Sequence, residues 1–290
     1  LMRKADMAMY QSKALGKSTY QFFDDALEVN SQFHLQLENQ LRVAIQKSQF
    51  QLYYQPKVCL KNNKVLALEA LIRWFDEDGK FVSPADFIPL AEQTGLIDKI
   101  GEWVLDQTCK QLAQWREQGL SLLPVSINVS PVEFNSPTLV SRFETTLKKY
   151  NIPPETIEIE ITESIFFEDI DKMCERLNKI RALGISVAVD DFGTGFSSLQ
   201  YLHQLPIDVL KIDRSFIMDL ENQAHNAAIA DTIITLARNL NLKVVAEGVE
   251  TTGAIEFLAK RECDLAQGFY FYKPMPFNDM TEILKTNVSV

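Results

Sequence analysis

Acidic side chains recur where the strand-like segments of this chain end. Glu69 lies in LEALIRW, Glu160 in TIEIEITES, Asp190 and Asp191 open DDFGTGFSSL, and Glu247 lies in AEGVE; Asn128, in SINVSP, adds an amide oxygen. No cysteine or histidine shares these segments. Oxygen donors alone favour Mg2+, Mn2+ or Ca2+ over zinc. The adjacent carboxylates of Asp190 and Asp191 suit a bridged pair of ions, and two such ions can activate a water and stabilise the leaving oxygen in phosphodiester hydrolysis. Gathering so many carboxylates in one buried place is costly unless cations or protons offset their repulsion.

Basic residues accompany the acids. Lys211, in LKID just before Asp213, could simply pair with the acid ring, or orient a nucleophilic water and stabilise developing charge. Arg73 follows Glu69 by four residues, hence on the same face of an extended strand, where its guanidinium could hold a phosphate oxygen or form an ion pair with a rim acid. A lone strand-end acid is ordinarily a helix N-cap or a surface charge; six oxygen-bearing residues on successive strands point instead to a shared site. In DDFGTGFSSLQYL two glycines precede Ser197 and Ser198, which read as helix caps, so this segment is expected to form a mobile loop over the site. Phe192 and Phe196 read as packing anchors and His203 as structural.

The elements that must position these residues follow from periodicity. Phe33, Leu37, Leu41, Ala44 and Ile45 predict an amphipathic helix, and strands are predicted near 51–57, 65–73, 124–129, 156–161, 186–190, 208–212, 243–247 and 264–271. Helical patterns fall between most of them: from Ser83, with Pro84 at the first helical position, and over 98–118, 137–150, 170–183, 225–240 and 252–260. Alternating strands and helices predict an α/β fold of the TIM (β/α)8 type, whose chemistry sits at the C-terminal strand ends. About seven residues separate the first two strands, too few for a parallel crossover of roughly a dozen. The prediction is a modified TIM barrel with its first strand antiparallel to the second.

Composition narrows the class. The chain has 290 residues, 46% of them hydrophobic and 23% charged, as in a soluble globule. A net charge of -10 is the wrong sign for tracking a DNA or RNA polymer or an anionic membrane. Four cysteines spaced by 50, 65 and 89 residues form no zinc or redox pair, and the three histidines include no HExxH. A reduced, cytoplasmic chain without membrane contact is expected, since no apolar run reaches the roughly 18 residues of a span. Leu1 falls in mid-pattern, as in a piece of something longer.

The succession QPKV, EALIRW, FIPLAEQTGLI, INVSP, EITES, DDFGTGFSSL, LKIDRSFI, AEGVE and QGFYFYKPM, over about residues 35 to 277, resembles the EAL domain, the cyclic di-GMP phosphodiesterase module. The resemblance implies Glu69, Asn128, Glu160, Asp190, Asp191 and Glu247 as ligands of two Mg2+ or Mn2+ ions, with Ca2+ occupying the site without turnover. It implies catalytic roles for Glu69, Glu247 and Lys211, the last holding the attacking water, while Glu163 steadies the glycine loop. Gln267 completes the site, and Gln55, Leu71, Arg73, Pro89 and Asp213 bind the dinucleotide. The product would be linear pGpG; a receptor that binds cyclic di-GMP without turnover is the alternative. Many relatives carry His-Pro after RW, where Phe75 and Asp76 stand here. The family further implies a homodimer through the region near residues 190–199. Residues 1–24, with ADMAMYQSKALGKSTYQFF, are similar to the closing segment of a GGDEF (diguanylate cyclase) domain, leaving 25–290 as the barrel and implying an upstream GGDEF or sensory domain, with any membrane anchor upstream too.

Overall fold

The computed structural model describes residues 25–167, 169–194, 202–220 and 223–287. The GGDEF-like stretch 1–24 and the loop residues Phe196, Ser197 and Ser198 lie outside the described residues. Two compact units divide the chain, one made of residues 51–72 and 97–290, the other of residues 1–50 and 73–96.

The larger unit holds a closed barrel. Apart from Phe50 and residues 73–75, which belong to the smaller unit, its strands are β1 (Phe50–Cys59), β2 (Val65–Phe75), β4 (Val125–Asn128), β5 (Ile157–Thr162), β6 (Ser186–Phe192), β7 (Val209–Ile212), β8 (Lys243–Ala246) and β9 (Leu265–Ala266). From β2 through β4 to β9 each strand is parallel to the next. β1 is antiparallel to β9, with Val58 opposite Ala266, and also pairs with β2, which closes the ring. A tight turn makes the reversal: the Asn63 N–H donates to the Cys59 carbonyl at 2.8 Å and the Cys59 N–H to the Lys64 carbonyl at 2.9 Å. The expected antiparallel first pair is therefore present, for the expected reason. A short strand not foreseen, β10 (Met275–Pro276), lies antiparallel on β1.

Helices α3 (Ile97–Glu117), α5 (Leu139–Tyr150), α6 (Ile170–Ala182), α8 (Ala224–Asn239) and α9 (Thr252–Lys260) fall where the apolar periodicity predicts them. Two four-residue helices, α4 (Pro131–Phe134) and α7 (Arg214–Ile217), and the closing helix α10 (Phe277–Asn287) are additional. Ser130 caps α4 by accepting from the Glu133 N–H, while the Glu133 side chain returns to the Ser130 N–H. The last barrel strand is shorter than the predicted 264–271. Phe271 and Tyr272 both donate their N–H to the Gly268 carbonyl at 3.1 Å, which turns the chain away after Ala266.

In the smaller unit α1 (Asp25–Lys47) buries Leu37, Leu41 and Ala44, the stripe expected of it. The end of β2 pairs with β3 (Phe81–Val82), and α2 (Pro84–Thr94) starts at Ser83, whose hydroxyl accepts from the Ala85 N–H. Its core stacks Phe50, Trp74 and Phe87, with centroids 5.4 to 6.0 Å apart.

Strand alternation divides the barrel interior into levels. Ala188, Val209 and Val245 lie two residues before Asp190, Lys211 and Glu247, so they share those residues' face, and they pack together with Leu265 as an apolar plug. The matching positions on β4 and β5, two residues before Asn128 and Glu160, are Ser126 and Glu158. That side of the interior is polar, and a buried lysine fills it.

Candidate active site

Lys211, on β7, has no exposed surface and stands at the centre of the acid cluster. Its Nζ lies 2.6 Å from Glu160 Oε2, 2.7 Å from Glu247 Oε1, 3.1 Å from Asp190 Oδ1 and 3.9 Å from Glu69 Oε2. Four strands thus direct a carboxylate at one ammonium. Burial alone would favour neutral lysine, but Glu160, Glu247, Glu69 and Asp190 outweigh it and hold Lys211 firmly protonated.

A second lysine, which the sequence reading did not single out, lies beside the first. Lys57, inward-facing on β1 and buried, reaches Ser126 Oγ at 2.5 Å, Glu160 Oε1 at 2.7 Å and Glu158 Oε1 at 3.0 Å. QPKV alone does not mark it, because Lys57 takes its meaning from Ser126 and Glu158 on distant strands. Glu160 is gripped through both oxygens. Burial raises its pKa, yet Lys211 and Lys57 prevail and hold the carboxyl at about 2.

The other acids have the opposite problem. Burial and the neighbouring Glu160 push Glu69 up. Burial, with Asp190, Glu69 and Glu160 nearby, raises Glu247 to about 8 despite Lys211, and burial, Asp190 and Asp213 raise Asp191 to about 6. Among the described residues the cluster is anionic by excess: Glu69, Glu158, Glu160, Asp190 and Glu247 pair with two lysines, Lys57 and Lys211.

Asp190 and Asp191 are consecutive in a strand, and alternation should send them to opposite faces. The backbone breaks the rule here. The β6–β7 register shifts between Val189 and Phe192, and Asp191 takes a left-handed φ of 53°. Such bulges and strained residues concentrate at functional sites. As a result one oxygen from each of Asp190, Asp191 and Glu247 lies within 4.8 Å of the others, a spacing suited to a metal ion.

Amides frame Glu69. Asn128 Nδ2 donates to its Oε1 at 2.8 Å and Gln267 Nε2 to its Oε2 at 2.6 Å. Gln267 Nε2 also donates to Gln55 Oε1 at 2.9 Å, and Gln55 Nε2 to the Tyr272 carbonyl at 3.0 Å. Glu163 Oε2 accepts from the Gly193 N–H at 3.0 Å, tying the start of the glycine segment to the 3-10 turn after β5. Gln267 Oε1 and Glu163 Oε1 are buried without a hydrogen-bond partner among the described residues.

The barrel unit therefore brings together Gln55, Glu69, Asn128, Glu160, Asp190, Asp191, Lys211, Glu247 and Gln267. Leu71 sits half-buried on β2, and Asp213 caps α7 through the Ser215 N–H at 3.0 Å. Arg73 and Pro89 belong to the smaller unit, half-buried and exposed respectively. Glu250 and His203 are exposed, while Phe192 is buried.

A family model described as the EAL domain matches residues 38–274. The chain belongs to the EAL domain family. The bifunctional diguanylate cyclase/cyclic di-GMP phosphodiesterase MucR of Pseudomonas aeruginosa is 43% identical to this EAL domain over 276 residues, 95% of this chain and 40% of that protein. The cyclic di-GMP phosphodiesterase NbdA of the same organism is 40% identical over 285 residues, 98% of this chain and 36% of NbdA. The chain thus spans about two fifths of the length of these relatives. Among solved structures, the MucR phosphodiesterase in complex with c-di-GMP superposes on this EAL domain with a TM-score of 0.81 at 42% identity, covering 84% of this chain and 99% of that one.

Proposed function

We propose that this EAL domain hydrolyses one phosphodiester bond of cyclic di-GMP to give linear pGpG. The observation that carries the reading is the buried Lys211 ringed by carboxylates from several strands, at the barrel end where such folds do chemistry. The names of MucR and NbdA support the substrate.

A pair of Mg2+ or Mn2+ ions fits the residues present. The donors are all oxygens, the cluster carries unbalanced negative charge, and Glu69, Asp191 and Glu247 have carboxyls raised by that crowding. Glu69, Asn128, Glu160, Asp190, Asp191 and Glu247 would hold the ions. When bound, they supply Lewis acidity that acidifies a water and offsets charge on the phosphate. Ca2+ would occupy the same oxygens without turnover.

The chain's own contribution follows from its geometry. Lys211 stays protonated, so it acts as a hydrogen-bond donor that orients the attacking water, not as a base. Gln267 and Asn128 hold the Glu69 carboxylate in one orientation through its two oxygens. Glu163 anchors the Gly193 backbone and with it the start of the loop. Gln55, Leu71 and Asp213 would meet the dinucleotide; Arg73 and Pro89 keep that assignment through the family resemblance alone. Residues 1–24 would be the tail of an upstream GGDEF domain, and a homodimer would form near residues 190–199. The domain would act in the cytoplasm. Chromatography of cyclic di-GMP incubated with the protein and Mg2+ tests the activity, with pGpG as the expected product.

A further inference from the structure

The reversed direction of β1 has a chemical effect inside the barrel. Its inward residues Gln55 and Lys57 descend from the rim: Gln55 meets Gln267, the partner of Glu69, whereas Lys57 meets Ser126 and Glu158, one level below Asn128 and Glu160. Ser126 Oγ also donates to Glu158 Oε1 at 2.6 Å, so Lys57 is held from the side away from Glu160 by two partners that hold each other. Its remaining contact is Glu160 Oε1 at 2.7 Å.

We infer that Lys57 is a positioning residue for the proposed metal site, fixing Oε1 of Glu160 from the barrel floor so that Oε2 alone is shared between Lys211 and an incoming ion. The inference rests on the metal-site reading above. Lys211 can release Oε2 because it has other partners in Glu247 and Asp190. Glu160 keeps its place through Lys57 when that happens. Residues that orient a metal ligand typically contribute 10–100-fold to metal affinity.

The contrary role makes an opposite prediction. A buried ammonium that merely neutralises charge repels a divalent cation, so its removal should tighten binding. Lys57→Met alone strands Glu158, so the double variant Lys57→Met with Glu158→Gln is the informative one. The full chain, stripped of metal and free of nucleotide, is titrated with Mn2+ by calorimetry, and melting is followed by circular dichroism. The expected result is a folded double variant whose Mn2+ affinity is about 10–100-fold weaker than the parent's. A folded double variant that binds Mn2+ as tightly as the parent, or more tightly, overturns the role of Lys57 and leaves the metal site standing. A parent that binds no Mn2+ overturns the metal reading and the inference with it.

Discussion

Lys211 and Glu160 form a 2.6 Å ion pair from which solvent is wholly excluded. Removing one partner of a buried pair leaves an uncompensated charge and costs about 3–5 kcal/mol, while the pair itself contributes little beyond its own desolvation. Lys211→Met should therefore lower the unfolding free energy of the metal-free protein by about 3 kcal/mol or more at pH 8. Urea denaturation measures this. A loss below about 1 kcal/mol would mean that water reaches the pair.

Glu69 behaves differently because its charge is already disfavoured by burial and by Glu160. Glu69→Gln removes repulsion and can keep its amide contacts if Gln267 turns its unpartnered Oε1 toward the new NH2. Stability should change by no more than about 1 kcal/mol, the scale of one exchanged hydrogen bond. Hydrolysis of cyclic di-GMP should fall by about 100-fold or more, as for loss of a group that stabilises the transition state. Steady-state rates beside denaturation curves separate the two; a fully active variant would remove Glu69 from the site.

Proton and metal should compete at Glu247, whose carboxyl moves from 4.5 to about 8 on folding. Between those values the folded chain retains a proton that the unfolded chain has released. Its stabilising contribution is thus complete below pH 4.5 and is lost as pH rises through about 8. Asp191 adds the same trend, lost through about 6, whereas Glu160, held at about 2, contributes only above its unfolded value and loses that contribution as pH falls through about 2. The metal-free protein should melt at lower temperature at pH 8 than at pH 6, and saturating Mg2+ should flatten that slope. Identical slopes with and without Mg2+ would separate the titration from the metal site.

Gly268 follows Gln267 and lies against the chain that follows Glu247. A Cβ there would sit 2.1 Å from the Val249 carbonyl oxygen and 2.3 Å from its nitrogen, both backbone atoms. The turn is tied down by the Gln267 N–H to the Ala246 carbonyl at 2.8 Å and the Val249 N–H to the Gln267 carbonyl at 3.1 Å. Gly268→Ala should cost about 1–3 kcal/mol, the range for overpacking, and should reduce hydrolysis per folded molecule. Unchanged melting and activity would show that this close approach is dispensable.

The scaffold was legible where one physical rule governed. Strand-like apolar segments marked all eight barrel strands, and the short Cys59–Lys64 turn forced the reversal of the first. Ser83 and Pro84 announced α2. Elements set by tertiary contact were not legible: β3 and β10 are two residues each, too short for a period, and α10 follows a turn whose closure depends on Gly268. Within the site, the strand-end acids could be read from position. Lys57 could not be recognised from QPKV alone, because its meaning comes from Ser126 and Glu158 on distant strands. Nor does the pair Asp190–Asp191 disclose from its residues that a bulge brings both carboxylates to one centre.

Hydrolysis of cyclic di-GMP by this EAL domain can be read from a single incubation. Protein stripped of metal is mixed with cyclic di-GMP, divided, and supplied with Mg2+, Mn2+ or EDTA, and the nucleotides are resolved by chromatography. The expected result is linear pGpG with Mg2+ or Mn2+ and none with EDTA. Cyclic di-GMP that is bound yet recovered intact in the presence of either metal would rule out hydrolysis and make this barrel a receptor.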